Sequence, residues 1–208
     1  MTRLLPSLLL SLLLQGGGQP IAIPIQNPSF ESSIPLIGYP NIRCGIGGYV
    51  PEWQFGPSTG VFQPDNPNAC LIALPSDGVT VAYAGYGGTF SQDLGVKPSD
   101  LEAVSRDGIF VMNFSVANYF TVYPGYYEAK LSIGAQELCS TDGWATWHTT
   151  AVTFVCPSPG YLVYDKIFPD GFAGGPAPAD HNAHLKISFV GYGWTVMFDD
   201  VSLTFTPN

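Results

Sequence analysis

The chain has 208 residues, of which 11% are charged, and a formal net charge of −9 at pH 7. With 7 Lys and Arg against 16 Asp and Glu, it lacks the clustered cations that bind phosphate backbones, which argues against nucleic acid as a partner. The acidity is typical of a surface that keeps a protein soluble outside the cytosol, and calcium affinity is the alternative interpretation.

The first 22 residues are predicted to be a secretory signal peptide. Arg3 provides its positive start, residues 4–14 provide an apolar stretch, and residues 16–22 provide a small-residue exit. The apolar stretch is too short to span a bilayer, and no later segment is long enough. We therefore expect a protein of the secretory pathway or the extracellular space, with no membrane partner in its mature form and with residues 23–208 as a single domain.

Strand signals dominate the rest of the chain, and helix signals are scarce. Gly (24 residues) and Pro (19 residues) punctuate runs of β-branched and aromatic residues of strand length. Their spacing predicts an all-β fold, a two-sheet antiparallel β-sandwich, with one helical turn at 97–104. The predicted strands are 79–83, 109–116, 126–133, 149–155, 161–168, 184–190 and 194–205.

Segment 38–74 is rich in Gly and Pro and has little periodicity. A loop of this length is more often functional than incidental, so we expect a lid or wall that contains Trp53. The alternative is a surface loop without a ligand, held by a disulfide.

Four cysteines in a chain with a signal peptide predict two disulfides. Three pairings are open, and the favoured one joins Cys44 to Cys70 and Cys139 to Cys156, because each bond would clip a loop-rich excursion between neighbouring strands. No cysteine lies beside a helix start or a basic partner, which argues against a catalytic thiol.

Two terminal motifs place carboxylates inside strand-forming runs, where an unpaired charge is costly. They are Asn27-Pro28-Ser29-Phe30-Glu31 and Phe198-Asp199-Asp200-Val201-Ser202-Leu203. Strand alternation places Asp200 and Glu31 outward, where they are predicted to converge on a structural calcium ion. The alternative is that both are solvated acids at strand ends.

The same alternation places Asp199 on the inner side, at the mouth of an aromatic core. Burial would raise its pKa and make it a candidate proton donor, while a second calcium ligand is the alternative role. A β-bulge at the Asp-Asp pair would exchange the two faces.

Aromatic residues crowd two regions, one around Tyr83, Tyr86 and Phe90 and the other at 119–127. Tyr and Trp at a groove suit either sugar stacking or a flat, electron-rich ligand. Asn113 begins an N-glycosylation sequon, which predicts an exposed side chain at that position.

The order of these motifs, from 23–31 through Trp53 and 81–94 to 198–201, resembles secreted calcium-binding jelly-roll modules of the carbohydrate-binding type. Within them it is similar to the cyanobacterial indole-alkaloid (Stig) cyclases and to fungal hetero-Diels–Alderases that act on tropolone quinone methides. The resemblance implies a jelly-roll cyclase without an organic cofactor, in which Ca²⁺ stabilises the scaffold.

The same resemblance implies roles for individual residues. Asp199 would be the acid or hydrogen-bond donor of a pericyclic reaction, which needs little beyond orientation and a polarising donor. Its substrate would be a small apolar polyene or quinone methide. A homodimer is a separate expectation, which does not follow from the resemblance. Trp53, Tyr83 and Phe120 would shape the aromatic pocket, with Tyr119 or Tyr127 as substitutes for Phe120. Together with these three residues, Tyr86 and Tyr127 are predicted to bind the substrate.

Two other classes compete with the cyclase. A non-catalytic glycan-binding module would use Trp53 and the tyrosine cluster as a stacking platform. A structural wall or surface protein would be favoured if the aromatic residues are scattered.

Overall fold

A computed structural model describes the chain as an all-β protein with two antiparallel sheets, as predicted. The first strand pairs with the last strand, so both ends of the described chain belong to one sandwich. The described residues are 18–31, 37–39, 42–46, 50–64, 78–97, 100–101, 108–119, 123–146, 148–157 and 183–207.

Thirteen strands are described, and most of the predicted strands lie within two or three residues of an observed one. Their bounds are β1 Ile21–Ile23, β2 Ile37–Tyr39, β3 Ile42–Ile46, β4 Gln54–Phe55, β5 Thr59–Pro64, β6 Val81–Ala84, β7 Gly88–Asp93, β8 Gly108–Asn118, β9 Gly125–Ile133, β10 Gln136–Ala145, β11 Thr150–Pro157, β12 Leu185–Tyr192 and β13 Val196–Pro207.

The strands form an eight-stranded and a five-stranded sheet. The order in the first is β11-β8-β13-β6-β5-β3-β2, with β1 also paired to β13, and the order in the second is β10-β9-β12-β7-β4. Apolar side chains from alternate positions of both sheets fill the space between them. We call the side of each sheet that faces away from the other sheet its outer face.

Several sequence predictions need correction. Segment 38–74 is not one irregular loop, because β3, β4, β5 and part of β2 lie in it. Strands β7 and β10 were not predicted. The predicted strand at 161–168 lies outside the described residues, and of the predicted helical turn only Asp100 and Leu101 are described as helical.

Aromatic rings make up the centre of the sandwich. Trp53 is 2% exposed, and its ring lies 5.6 Å from Phe90 and 6.3 Å from Phe189. Its Nε1–H donates to the carbonyl oxygens of Gln26 (3.0 Å) and Asn27 (3.2 Å). The indole therefore fixes the segment after β1 to the core, because a buried N–H requires an acceptor.

Strand β13 contains the bulge that would exchange the faces of the Asp-Asp pair. Its pairing with β8 shifts register between Asp199 and Ser202, and Asp200 has a φ of 50°. On the side of β13 away from β8, β6 pairs with the first part of β13 and β1 pairs with the last part. Between them, the Val201 N–H donates to the Pro28 carbonyl oxygen (3.1 Å), so segment 26–31 crosses the gap beside the bulge.

The predicted disulfide between Cys139 and Cys156 is present, with the two Cα atoms 5.9 Å apart. It joins β10, at the edge of the five-stranded sheet, to β11, at the edge of the eight-stranded sheet. The other predicted bond, Cys44 to Cys70, includes a residue outside the described part of the chain.

The first strand begins before the domain boundary predicted from the sequence. Ile21 and Ala22, which the prediction assigned to the signal peptide, pair with Phe205 and Thr204, and the Gly18 N–H donates to the Pro207 carbonyl oxygen (2.8 Å). Cleavage after residue 22 would remove most of β1. No helix among the described residues has the length and apolar character needed to cross a membrane.

Candidate functional site

The residues predicted to form one aromatic pocket are dispersed over the sandwich. Trp53 is a core residue, and Tyr127 is 7% exposed, with its ring edge-on to Phe114 between the sheets. Burial raises the pKa of Tyr127. The structure therefore removes Trp53 and Tyr127 from a ligand site, and Phe120 lies outside the described residues.

Tyr83 does line a pocket, but on the outer face of the eight-stranded sheet. The pocket has a volume of about 170 Å³ and is lined by Phe62, Tyr83, Tyr119, Thr195 and Met197. A cavity of roughly 150 Å³ holds one benzene molecule, so this pocket has room for about one ring.

Asp199 lies on this outer face and not on the predicted inner side. Phe198 belongs to the core between the sheets, so its neighbour Asp199 projects to the opposite side, opposite Ser115 of β8. The bulge then returns Val201 to the core. Asp199 is 3% exposed, and its Oδ1 accepts the Asp200 N–H (2.8 Å).

Glu31 and Asp200, the predicted calcium ligands, both adjoin the crossing of segment 26–31. Oε1 of Glu31 accepts the N–H groups of Val79 (2.8 Å) and Thr80 (2.7 Å), and Oε2 lies 3.5 Å from the Thr80 hydroxyl. Among the residues that the structure describes, no three His, Cys, Asp or Glu side chains form a group that could hold a metal. Calcium at this place would need backbone carbonyls or water for most of its six to eight ligands.

A row of exposed aromatic side chains crosses the outer face of the five-stranded sheet. Strand register places Tyr126 of β9 between Trp144 of β10 and Tyr192 of β12. Trp144 is 65% exposed and Tyr192 is 41% exposed. Neighbouring ring centroids are 5.2 Å and 5.9 Å apart, with interplanar angles of 69° and 48°. We call these three residues the aromatic row.

Two carboxylates lie beside the aromatic row, two residues further along the strands and on the same face. Asp142 of β10 pairs with Glu128 of β9, and both are on the outer face. The Tyr192 hydroxyl donates to Glu128 Oε2 (3.1 Å), while Lys130 contacts Glu128 Oε1 (2.8 Å). A hydrogen bond with Asp142 is the main cause that raises the pKa of Tyr126 to about 12. Both tyrosine rings are therefore held in place by their hydroxyl groups.

A second aromatic group, which we call the end cluster, lies at the same end of the sandwich. It consists of Tyr86, Tyr123 and Trp194, which are 68%, 51% and 39% exposed. Tyr123 stacks on Trp194 at 5.1 Å with an interplanar angle of 17°, and Tyr86 lies 6.0 Å from Trp194. Of the predicted substrate-binding residues that the structure describes, Tyr86 alone belongs to the end cluster.

Sequence reasoning missed Trp144, Tyr192 and Trp194. The sequence did contain a signal for the face that carries Trp144 and Tyr192, because the neighbouring strand β9 alternates buried residues with Tyr126, Glu128 and Lys130. Such alternation indicates a sheet with one solvated face, on which an aromatic residue is exposed.

Asn113, the sequon residue, lies on the outer face of β8 between β11 and β13. Its Oδ1 accepts the Thr153 hydroxyl (2.8 Å), and its Nδ2 lies 3.5 Å from the Ser202 hydroxyl. The side chain is partly exposed, and its glycosylation remains a prediction.

Comparison with known proteins gives similarity of structure only. No protein-family model matches the sequence, and no curated protein matches it either. A family 61 carbohydrate-binding module in complex with β-1,4-galactotriose has a TM-score of 0.47 and 14% identity, over 86% of this chain and 95% of that one.

Two further solved structures are similar. A family 4 carbohydrate-binding module has a TM-score of 0.42 and 15% identity, over 88% of this chain and 99% of that one. The family 22 xylan-binding domain from Paenibacillus barcinonensis has a TM-score of 0.41 and 8% identity, over 75% and 86% of the two chains. None of these values is high enough to transfer a function to this chain.

Proposed function

We propose that the protein is a secreted glycan-binding protein and that the aromatic row is its binding surface. The observation that carries the proposal is the row itself, with Trp144, Tyr126 and Tyr192 on three adjacent strands. Large aromatic side chains exposed together on a sheet face are a sign of a binding site. Pyranose rings present apolar C–H faces that stack on aromatic rings, and tyrosine and tryptophan are suited to such partly wet contacts.

The carboxylates beside the row support a glycan over other ligands that stack. Asp142 and Glu128 can accept hydrogen bonds from sugar hydroxyl groups. Nucleic-acid bases also stack on aromatic rings, but phosphates would be repelled by these carboxylates and by the net charge of −9. The ring planes are inclined to one another, which favours a single soluble chain over the flat face of a crystalline polysaccharide.

The test is calorimetric titration of the secreted protein with soluble xylan, galactan, mannan and mixed-linkage β-glucan. We expect one of these neutral glycans to bind, with little dependence on salt, because the ligand carries no charge. Trp144→Ala should weaken binding at least tenfold, or about 1.4 kcal/mol. Val155→Ala, which removes an exposed apolar side chain from the other sheet, is the matched control.

Binding that survives Trp144→Ala would place the glycan elsewhere on the surface. No binding to any glycan in the panel would remove the proposal.

A second candidate, the cofactor-free cyclase, is supported by one observation: Asp199 lies on the same outer face as the pocket residue Met197, two positions along β13. The pocket holds about one ring, so a polyene would extend beyond it. The same titrations therefore include farnesol. Heat released by farnesol and lost in Gly60→Val would favour the cyclase, because a side chain at Gly60 would lie 3.1 Å from Tyr83 and would displace this ring, which lines the pocket.

A further inference from the structure

Tyr86 has a backbone conformation that a tyrosine seldom adopts. Its φ is 55°, that of Gly87 is 81°, and the Gly88 N–H donates to the Gly85 carbonyl oxygen at 2.8 Å. Positive φ at both central residues is the requirement of a type I′ turn, in which Asn-Gly is strongly preferred. The left-handed region is strained for a bulky side chain, so asparagine would form a more stable turn here.

Burial does not compensate for this strain, because 68% of Tyr86 is exposed to solvent. A residue that is both strained and exposed contributes little to folding and is a sign of function. Its ring contacts Trp194, on which Tyr123 stacks, so the turn presents its aromatic side chain to an existing aromatic surface.

The turn continues the aromatic row across one more strand. Gly191 pairs with Gly88, which places Gly87 beside Tyr192 at the end of β12. The N–H of Gly87 donates to the Gly191 carbonyl oxygen (2.8 Å), and that of Tyr86 donates to the Gly193 carbonyl oxygen (2.9 Å).

The aromatic positions therefore follow one another over β10, β9, β12 and the turn before β7. From Trp144 to Tyr86 this path covers three strand spacings, or about 14 Å.

We propose that Tyr86 and the rest of the end cluster form an additional subsite, which binds the outer sugar residues of the same glycan chain. This inference rests on the proposed function. The glycan would run perpendicular to the strands, from Trp144 over Tyr126 and Tyr192 to Tyr86 and Trp194. The ligand is then a neutral oligosaccharide that is long enough to cover both aromatic groups.

The experiment compares Tyr86→Asn with wild type, using di- to hexasaccharides of xylose, galactose, mannose and glucose. We expect the midpoint of thermal unfolding to rise by about 2–4 °C, because the strain is relieved. Affinity for the hexasaccharide should fall about tenfold, while affinity for a disaccharide stays the same.

The matched control is Glu52→Asn. Glu52 is also an exposed non-glycine residue with positive φ (71°), but it lies in the turn before β4, away from the aromatic surfaces. The Glu52→Asn substitution should raise the midpoint of thermal unfolding and leave the affinity for every oligosaccharide unchanged.

A hexasaccharide affinity that is unchanged in Tyr86→Asn would overturn the subsite and leave the glycan-binding function intact. A fall in the unfolding midpoint of that variant would also overturn it, because Tyr86 would then be a folding residue. If wild type binds no oligosaccharide at all, the proposed function fails and the subsite fails with it.

Discussion

Tyr126 and Tyr127 are adjacent in the chain but lie in opposite environments. Tyr127 is in the core, and burial raises its pKa. Tyr126 is on the outer face, and Asp142 is the main cause of its higher pKa, about 12. The protonated form of Tyr126 is thus the one that the folded protein favours.

The pKa of Tyr126 gives a prediction about pH. Because the pKa of Tyr126 in the folded state is above its ordinary value of 10, the hydrogen bond to Asp142 stabilises the folded state fully below pH 10. This stabilisation is lost as the pH rises through about 12. Asp142→Asn should lower the pKa of Tyr126 towards 10, as followed by NMR titration of the tyrosine ring carbons. Glu137→Gln, at a carboxylate that contacts Lys130, should not change it. An unaltered Tyr126 titration in Asp142→Asn would show that this hydrogen bond is not the cause.

At the scale of strands, the sequence predicted what depends on periodicity and missed what depends on single residues. The alternation in β9 and β12 indicates strands with one buried face and one solvated face, because successive side chains of a strand point to opposite sides of the sheet. The bulge at Asp199–Asp200 adds one residue without changing the composition, so alternation placed Asp199 on the wrong face. Short strands such as β4, with two residues, are too brief to show any period.

The bond between Cys139 and Cys156 gives a prediction about stability. The two cysteines are 17 residues apart, and a disulfide that closes a loop of this size stabilises the folded state by about 3 kcal/mol. A variant with Cys139→Ala and Cys156→Ala should lose about that much unfolding free energy in denaturant titrations. Val155→Ala, beside Cys156 but outside the bond, should change it by much less. An equal loss in both variants would mean that packing on β11, and not the cross-link, is responsible.

Viewed as a whole, the molecule separates its features between two surfaces. The aromatic row and the two carboxylates are on the five-stranded sheet, whereas the pocket, Asp199 and Asn113 are on the eight-stranded sheet. The sequence indicated an aromatic-rich sandwich but not which rings are exposed, since that depends on pairings between distant strands. The single pocket that the resemblance implied combines residues from the core and from both surfaces.

A structural calcium ion remains a prediction, and its effect would be on the stability of the whole fold. If Glu31 and Asp200 hold the ion beside the crossing of segment 26–31, a chelator should lower the midpoint of thermal unfolding, because the ion binds only the folded state. Calcium should restore it, and Glu31→Gln should abolish both effects. Glu52→Gln, which removes an exposed carboxylate elsewhere, is the control. A midpoint that chelator does not move would exclude a structural calcium ion.

The pairing of β1 with β13 has a practical consequence for handling the protein. Gly18 and Pro207 are hydrogen-bonded neighbours, while Val196, at the other end of β13, adjoins the end cluster. Over the length of β13, that separation is about 35 Å. A fusion partner or a solid support joined through Pro207 would therefore tether the molecule with its end cluster directed away from the attachment point.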